Sequence, residues 1–410
     1  MGTEYDTINI LLYGKVIGAI TLLPGDRNVF SFTEAYIENQ NRSILSLSFK
    51  SATGGLLSRP QISRQKLPTF FSNLLPEGAL REYLAKKCGV NSEREFFLLA
   101  ALGEDLPGAI EIKIESGKNY NSSIKDQNIL AGVNDARAFN FSLAGVQLKF
   151  SALMDRGGKL TIPAHGVGGS WIMKLPSLTF PLVPENEFAM MSLAGQVGID
   201  VPQIDLVPVT EIYNVPEEIY QQENNAFVVK RFDRTADDRR IHMEDFAQIF
   251  GVYPKDKYDN YNYNNIAFVI WSEIGEKGIE QFVKRLVFSA LIGNADMHLK
   301  NWSLIYPDGK HAALAPAYDF VSTVVYLDDE NLALNIGGTK KMSMFSEDLL
   351  KRFAAKARLP ETLVLKSAKE IIDATKSVWP TFKSNLALPK QMIMRIEKHM
   401  RSIPIFSERT

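Results

Sequence analysis

Asp296 and Asn301 lie in GNADMHLKN, an Asp-x4-Asn pair, and Asp319 follows in AYDF. Protein kinases use this spacing to hold one catalytic carboxylate and two metal ligands around a transferring phosphate. The transition state is loose and highly charged, so positioning and cations carry most of the catalysis. An Asp orients the acceptor hydroxyl, and Asn and Asp oxygens suit a hard cation such as Mg²⁺. A lysine must also pin the phosphates. Lys174, near the end of the apolar strand WIMKLP, is the candidate, because a charge in that setting needs a partner. A lysine reaching out to water from an edge strand is the competing account. Glu187 could pair with Lys174, although attraction to a helix N-terminus explains Glu185 and Glu187 more simply.

The elements around the motif separate it from chance. Asp-x4-Asn also occurs at Asp135–Asn140, in a polar stretch, and at Asp259–Asn264, in the aperiodic run YPKDKYDNYNYNN. Before Asp296, Ile279, Phe282, Val283, Leu286, Val287, Ala290 and Leu291 fall at helical spacing, and Gly293 is a helix stop. After Asn301, WSLIY and HAALA flank PDGK, a hairpin signal that returns the chain towards Asn301 with Asp319. Helix capping by Asp296 and turn chemistry at Asn301 are the competing account.

At 410 residues the chain has room for about two domains. Its net charge of −1 gives no overall basic signature. From Lys351 onward 13 Lys/Arg stand against 5 Asp/Glu, which suits a solvated helical face or contact with an acidic partner. Cys88 is the single cysteine, which excludes an intrachain disulfide and fits a reducing, cytoplasmic setting. No run long enough for a membrane span or signal peptide is visible, so no membrane association is expected. The five histidines lack metal-ligand spacing.

The pattern predicts an α+β protein of two lobes: a β-rich N-terminal part with an extra subdomain, then a mainly helical C-terminal lobe. Residues 1–115 read as the extra subdomain, with strands in INILLYG, VIGAITLL, NVFSFT and GAIEIKI. LPTFFSNLLPEGALREYLAKKCG reads as a helix pair or a broken helix. SEREFFLLAALG reads as a helix capped by Ser92 and stopped at Gly103. Residues 116–138 read as a linker or mobile loop, 139–234 as the nucleotide-binding part of the N-lobe, and 235–410 as the helical lobe. There, helices are expected near 243–250, 265–273, 276–292, 345–357, 361–378 and 388–402. No Gly-x-Gly-x-x-Gly or Walker sequence appears. GVGGS (166–170) reads as a turn, while the backbone amides of Ala144–Gln147 could form a small anion nest.

At SLAGVQLKF, IMKLP, VKRFDR, HMEDFAQIFG, GNADMHLKN and PAYDF the chain resembles the HipA-like serine/threonine kinases, toxins of bacterial toxin–antitoxin pairs. FFSNLLPEG and LLAALGEDLPGAI resemble that family's N-terminal subdomain, so the likeness covers nearly the whole chain. It implies a two-lobed protein-kinase-like fold using ATP and Mg²⁺. By the same resemblance Asp296 is the catalytic residue, Asn301 and Asp319 are the metal ligands, and Lys174 contacts phosphate. Ala144, Gly145, Val146, Gln147, Leu148 and Lys149 correspond to the ATP-binding loop. Lys230, Arg231 and Phe232 correspond to the adenine hinge. His298, Leu299, Lys300 and Asn301, with Tyr318, Asp319, Phe320 and Val321, flank the nucleotide. Ser142 corresponds to an autophosphorylated serine whose phosphate silences the kinase; a plain turn serine is the alternative. A helix-turn-helix, HipB-like antitoxin is the implied partner, with operator DNA reached through it, and an aminoacyl-tRNA synthetase the implied protein substrate. His-Arg-Asp and Asp-Phe-Gly of ordinary protein kinases are replaced by Asn294-Ala295-Asp296 and Asp319-Phe320-Val321. A small-molecule kinase of the aminoglycoside or choline type and a non-catalytic corepressor module are the rival functions.

Overall fold

The structure, a computed structural model, describes residues 6–103, 105–114, 149–154, 160–162, 169–177, 179–215, 224–328 and 331–407. The expected linker at 116–138 lies outside the described residues, as do Ser142 and the loop Ala144–Leu148. The protein has an α+β, two-lobed, protein-kinase-like fold preceded by an extra N-terminal unit.

That unit is built on the alternation of apolar residues in its first strands. β1 (Asp6–Leu12), β2 (Lys15–Leu23), β3 (Arg27–Phe32), β4 (Gln61–Arg64) and β5 (Ile110–Ile114) form an antiparallel sheet in the order β4-β3-β2-β1-β5. Ile8, Ile10, Ile20 and Phe30 point to one face. They pack there with Phe49, Phe70, Phe71, Phe96 and Leu99 as a separate core. The helical stretch after it is broken into Thr69–Ser72 and Gly78–Lys87 by LLPE. The next helix spans Glu95–Leu102 and ends at Gly103, but Arg94 occupies the cap position and its side chain makes no capping bond, pairing instead with Asp26. Ser92 does not cap it: its carbonyl instead accepts two bonds from the Arg81 guanidinium.

The N-lobe sheet contains β6 (Lys149–Met154), β7 (Leu160–Thr161), β8 (Trp171–Lys174), β9 (Ile204–Pro208), β10 (Ile212–Tyr213) and β11 (Asn225–Lys230), ordered β10-β7-β6-β8-β11-β9. The helix Val183–Gln196 packs on it through Met190, Leu193 and Ala194. In the C-lobe the helix Glu276–Leu291 is central. All seven of its predicted apolar positions are fully buried, and it lies against the long helix Glu361–Phe382. Each large buried side chain is worth roughly 1.5–3 kcal/mol, so this stripe anchors the loop that follows it.

Two local expectations are corrected here. Residues 242–245 form a strand, β12 (His242–Asp245), paired with β13 (Ser303–Tyr306), and helix begins only at Phe246. A reciprocal capping box between Asp245 and Gln248 fixes that start. The helix 361–378 also runs on to Phe382, with Pro380 in its last turns. The hairpin after Asn301 forms as read, β13 pairing with β14 (Ala313–Leu314) so that Leu304 opposes Leu314.

The N-terminal unit is bonded to the C-lobe at several places. Tyr13 donates to the Tyr306 carbonyl (3.0 Å), the Leu47 amide to Glu244 Oε1 (3.0 Å), and Asn73 Nδ2 to the Val252 carbonyl (2.7 Å). The unit is also bonded to the N-lobe, the Gly108 amide donating to Asp233 Oδ2 (2.7 Å). No helix among the described residues is long and apolar enough to cross a membrane.

Candidate active site

The helix Glu276–Leu291 delivers the first catalytic candidate. It stops because Gly293 takes a left-handed φ of 67°. A Cβ there would lie 2.6 Å from Val324 Cγ1 and 3.0 Å from His399 Cδ2, so conformation and space both require glycine. Asn294, fully buried, then ties two segments together. Its Oδ1 accepts from the Asp296 amide (2.9 Å) and its Nδ2 donates to the Asp319 carbonyl (3.2 Å). The sequence reading noted Asn294 only as a departure from His-Arg-Asp; its amide, able to donate and accept at once, is what allows the bridge.

The loop closes on itself. The His298 amide donates to the Asp296 carbonyl (2.8 Å), and Asn301 Nδ2 donates to the same oxygen (2.7 Å). That bond leaves the Asn301 side-chain carbonyl as its available oxygen. The Asp296 carboxylate is exposed, and Tyr258 donates its hydroxyl to Oδ1 at 2.5 Å. Tyr258 belongs to the Tyr/Asn-rich run that sequence reasoning left without a role. His298 is buried, its ring set edge-on to Tyr258 with centroids 5.0 Å apart. Burial pushes its pKa down to about 4, so the imidazole is neutral, and Nδ1 has no protein partner among the described residues.

Asp319 sits on the returning segment, in a left-handed conformation (φ 57°) that is uncommon for a non-glycine residue and recurs at functional sites. Tyr318 beside it donates to the Lys300 carbonyl (2.9 Å), which docks the segment against the Asp296–Asn301 loop. Phe320 is buried against Phe288, with centroids 5.1 Å apart. Val321 is partly buried.

Lys174 is buried and binds both Glu187 and Asp319. Glu187 is thus a partner of Lys174, not merely a helix-dipole carboxylate, and Glu185 has its own partner in Asn225 Nδ2 (2.9 Å). Lys149 lies opposite Lys174 across the β6–β8 pair and reaches Asp319 Oδ2 at 3.2 Å. Like charges directly opposite on neighbouring strands repel, so the two ammonium groups need anions between them. Burial disfavours the charge on Lys174, but Asp319 and Glu187 outweigh it and raise its pKa above the ordinary lysine value. Burial also opposes ionisation of Asp319. Lys149 and Lys174 overcome it and hold this carboxyl well below the usual carboxylate range.

The remaining predicted residues divide. Phe232 lies near Tyr318 (centroids 5.7 Å apart, planes at 31°). The Lys230 amide donates to the Gln203 carbonyl and the Arg231 amide to the Ser170 carbonyl, both at 2.8 Å. The Arg231 side chain is buried in a cluster with Asp105, Asp233 and Arg234 that binds the N-terminal unit to the N-lobe. The Leu299 side chain is buried in the large core, and the Lys300 ammonium turns to the N-terminal unit. Among the described residues no group of three His, Cys, Asp or Glu side chains could hold a metal ion. A cation here would therefore rest on Asp319 and Asn301, with phosphate and water oxygens completing its shell. Mg²⁺ accepts such a site, and the ionised Asp319 fits it.

Residues 8–113 match the HipA N-terminal domain and residues 141–379 the HipA-like C-terminal domain. The chain belongs to the HipA family. A relative in Sinorhizobium fredii, Y4dM, described provisionally as a kinase, is 46% identical over 404 residues, covering 98% of each chain. The serine/threonine-protein kinase toxin HipA of Shewanella oneidensis is 25% identical over 401 residues, covering 89% of this chain and 86% of its own. The solved Shewanella oneidensis complex of HipA, HipB and operator DNA shares the fold. Its TM-score is 0.72 at 21% identity, over 97% of this chain and 95% of that one. This HipA-family chain thus has relatives that carry kinase names along its whole length.

Proposed function

We propose that this HipA-like protein is an ATP- and Mg²⁺-dependent serine/threonine protein kinase acting as a growth-arrest toxin. One observation carries the reading: the buried Lys174 ammonium joins Glu187 to Asp319, beside the loop that presents Asp296 to solvent. A structural ion pair needs one carboxylate. Here two lysines and two carboxylates meet next to an exposed Asp, and the carboxylate between the lysines is in a strained backbone state. The arrangement suits a polyphosphate and a hard cation.

In this reading Lys174 and Lys149 offer positive charge to the phosphates, and Asp319 with the Asn301 carbonyl would hold Mg²⁺. Bound there, the cation would neutralise charge developing on the phosphate oxygens. Asp296 accepts and orients the hydroxyl of the protein substrate. Neutral His298, buried beside Tyr258, adds no charge to the site. By the family resemblance Lys230, Arg231 and Phe232 would form the hinge at the adenine.

The remaining elements rest on the family resemblance: self-silencing by phosphate on Ser142, a helix-turn-helix HipB-like antitoxin as partner, operator DNA met through it, and a translation component such as an aminoacyl-tRNA synthetase as substrate. The test is incubation of the purified protein with γ-labelled ATP and Mg²⁺. Label is expected on protein, and on Ser142 in particular, with Ser142→Ala losing the self-label. Label confined to a small acceptor such as an aminoglycoside or choline would overturn the reading, and so would an absence of ATP turnover.

A further inference from the structure

Glu77 occupies the cap position of the helix Gly78–Lys87, yet its side chain makes no capping bond. Helix caps favour Ser, Thr, Asp or Asn, so the reason for a glutamate here lies elsewhere. Its carboxylate leaves the N-terminal unit and meets two lysines of the C-lobe: Lys257 Nζ at 2.9 Å and Lys300 Nζ at 3.4 Å. Gly78, with a left-handed φ of 54°, turns the chain immediately after it.

Each lysine belongs to a segment that touches Asp296. Lys257 precedes Tyr258, whose hydroxyl binds the Asp296 carboxylate. Lys300 precedes Asn301, whose amide closes the loop on the Asp296 carbonyl. The two segments are also bonded directly, the Leu299 amide donating to the Lys257 carbonyl (3.2 Å). Lys300 is gripped further by the Asn73 carbonyl (2.9 Å), Asn73 Oδ1 (3.1 Å) and Asp245 Oδ2 (3.4 Å). Asn73 is itself fixed to the C-lobe through the Val252 carbonyl. The Lys300 side chain is 15% exposed, that of Lys257 21% and that of Glu77 34%, so these contacts are partly shielded from solvent.

We infer that Glu77 is a positioning residue: from the N-terminal unit it clamps both segments that flank Asp296 and so holds the catalytic loop in register. This rests on the kinase reading of Asp296. The N-terminal unit is then part of the catalytic apparatus and not an appendage. The clamp meets the loop through Lys300, next to Asn301, and through Lys257, next to Tyr258, so its main effect falls on the placement of Asp296. Burial works against the charge on Glu77, but Lys300 and Lys257 outweigh it and hold the carboxyl below its ordinary value.

The experiment compares full-length wild type, Glu77→Gln and Lys300→Met. Three quantities are read: amide hydrogen exchange over residues 294–302, ATP affinity, and kcat and KM for phosphate transfer. In both variants exchange in the loop is expected to speed up by about 10-fold or more and kcat to fall by about 10–100-fold, as small displacements of a catalytic group do, while ATP affinity falls by much less than kcat. Glu77→Asp, which keeps the charge, is expected to recover part of the lost rate. Unchanged loop exchange in both substituted proteins would overturn the clamp whether or not the wild type transfers phosphate. Loss of ATP affinity in step with kcat would overturn it as well. An inactive wild type with a protected loop would instead refute the kinase reading. Should Glu77→Gln fail to fold, Lys300→Met carries the same comparison from the other side of the contact.

Discussion

Lys174 binds Asp319 across 145 positions of sequence while also binding Glu187. The lysine comes from a strand of the N-lobe sheet and Asp319 from the segment after the C-lobe hairpin, so this contact fixes the two lobes against each other. Replacing the ammonium by an apolar side chain strands the buried Glu187 carboxylate and leaves Asp319 with Lys149 alone, and breaking a buried pair costs on the order of 3–5 kcal/mol. Lys174→Met is therefore expected to melt at clearly lower temperature and to bind ATP at least about 10-fold more weakly, a loss of about 1.4 kcal/mol. Calorimetric unfolding and ATP titration on the same sample check this. Wild-type ATP affinity in that variant would rule out Lys174 as a phosphate ligand.

Tyr258 holds the oxygen that an acceptor hydroxyl needs. Its hydroxyl donates to Asp296 Oδ1, and Tyr258 is 38% exposed, so the ring has room to leave. Burial, then the neighbouring Asp296, raises the phenol pKa, so Tyr258 competes as a neutral donor. A hydrogen bond to a charged group is worth about 1.5–3 kcal/mol, and removing this competitor should lower the acceptor KM by about 3–10-fold. Steady-state kinetics of Tyr258→Phe at saturating ATP measure it. A higher KM would mean that Tyr258 helps to place Asp296 and does not obstruct it.

Stability should depend on pH through two residues of β12. Burial pushes Glu244 up to about 7 from 4.5 and His242 down to about 4 from 6.5. The raised carboxyl keeps its proton in the folded state. Its contribution is complete below pH 4.5 and is lost as pH rises towards 7, because the unfolded chain then binds fewer protons. The depressed imidazole runs the other way: its contribution is complete above pH 6.5 and is lost as pH falls towards 4. In the wild type the two partly cancel. Glu244→Gln retains an acceptor for the Tyr306 hydroxyl and the Leu47 amide but cannot ionise. Its stability relative to wild type should improve between pH 4.5 and 7 by up to about 3 kcal/mol, at about 1.36 kcal/mol per pH unit. Thermal unfolding of both proteins across that range tests it. A difference that does not change with pH would mean that Glu244 is ionised in the folded protein.

Much of this was legible in the sequence because the helix Glu276–Leu291 and the hairpin after Asn301 carry strong local signals. Apolar residues recur every three or four positions in the first, and PDGK marks the turn of the second. The strand β12 was hidden because HMEDFAQIF has a helix-like pattern, and only the Asp245–Gln248 capping box, with β13 as partner, makes its first four residues extended. Lys174 could be singled out from its apolar strand, but its double partnership could not. Glu187 is explained locally by a helix dipole, and the ion pair depends on a contact that only the fold creates. The roles of Tyr258, Asn294 and Glu77 stayed hidden for the same reason. Each acts through a bond to a segment distant in sequence or through a backbone atom, and neither leaves a spacing to read.

The most direct measurement is single-turnover phosphate transfer by Asp296→Asn, with ATP affinity determined on the same protein. Asp296 is exposed and takes no part in the Lys174–Glu187–Asp319 cluster. ATP affinity should therefore stay within about 3-fold of wild type, while transfer falls by about 10²–10⁴-fold, the usual contribution of a general base. Transfer at the wild-type rate would contradict the assignment of Asp296, and with it the account of this site as a phosphotransferase centre.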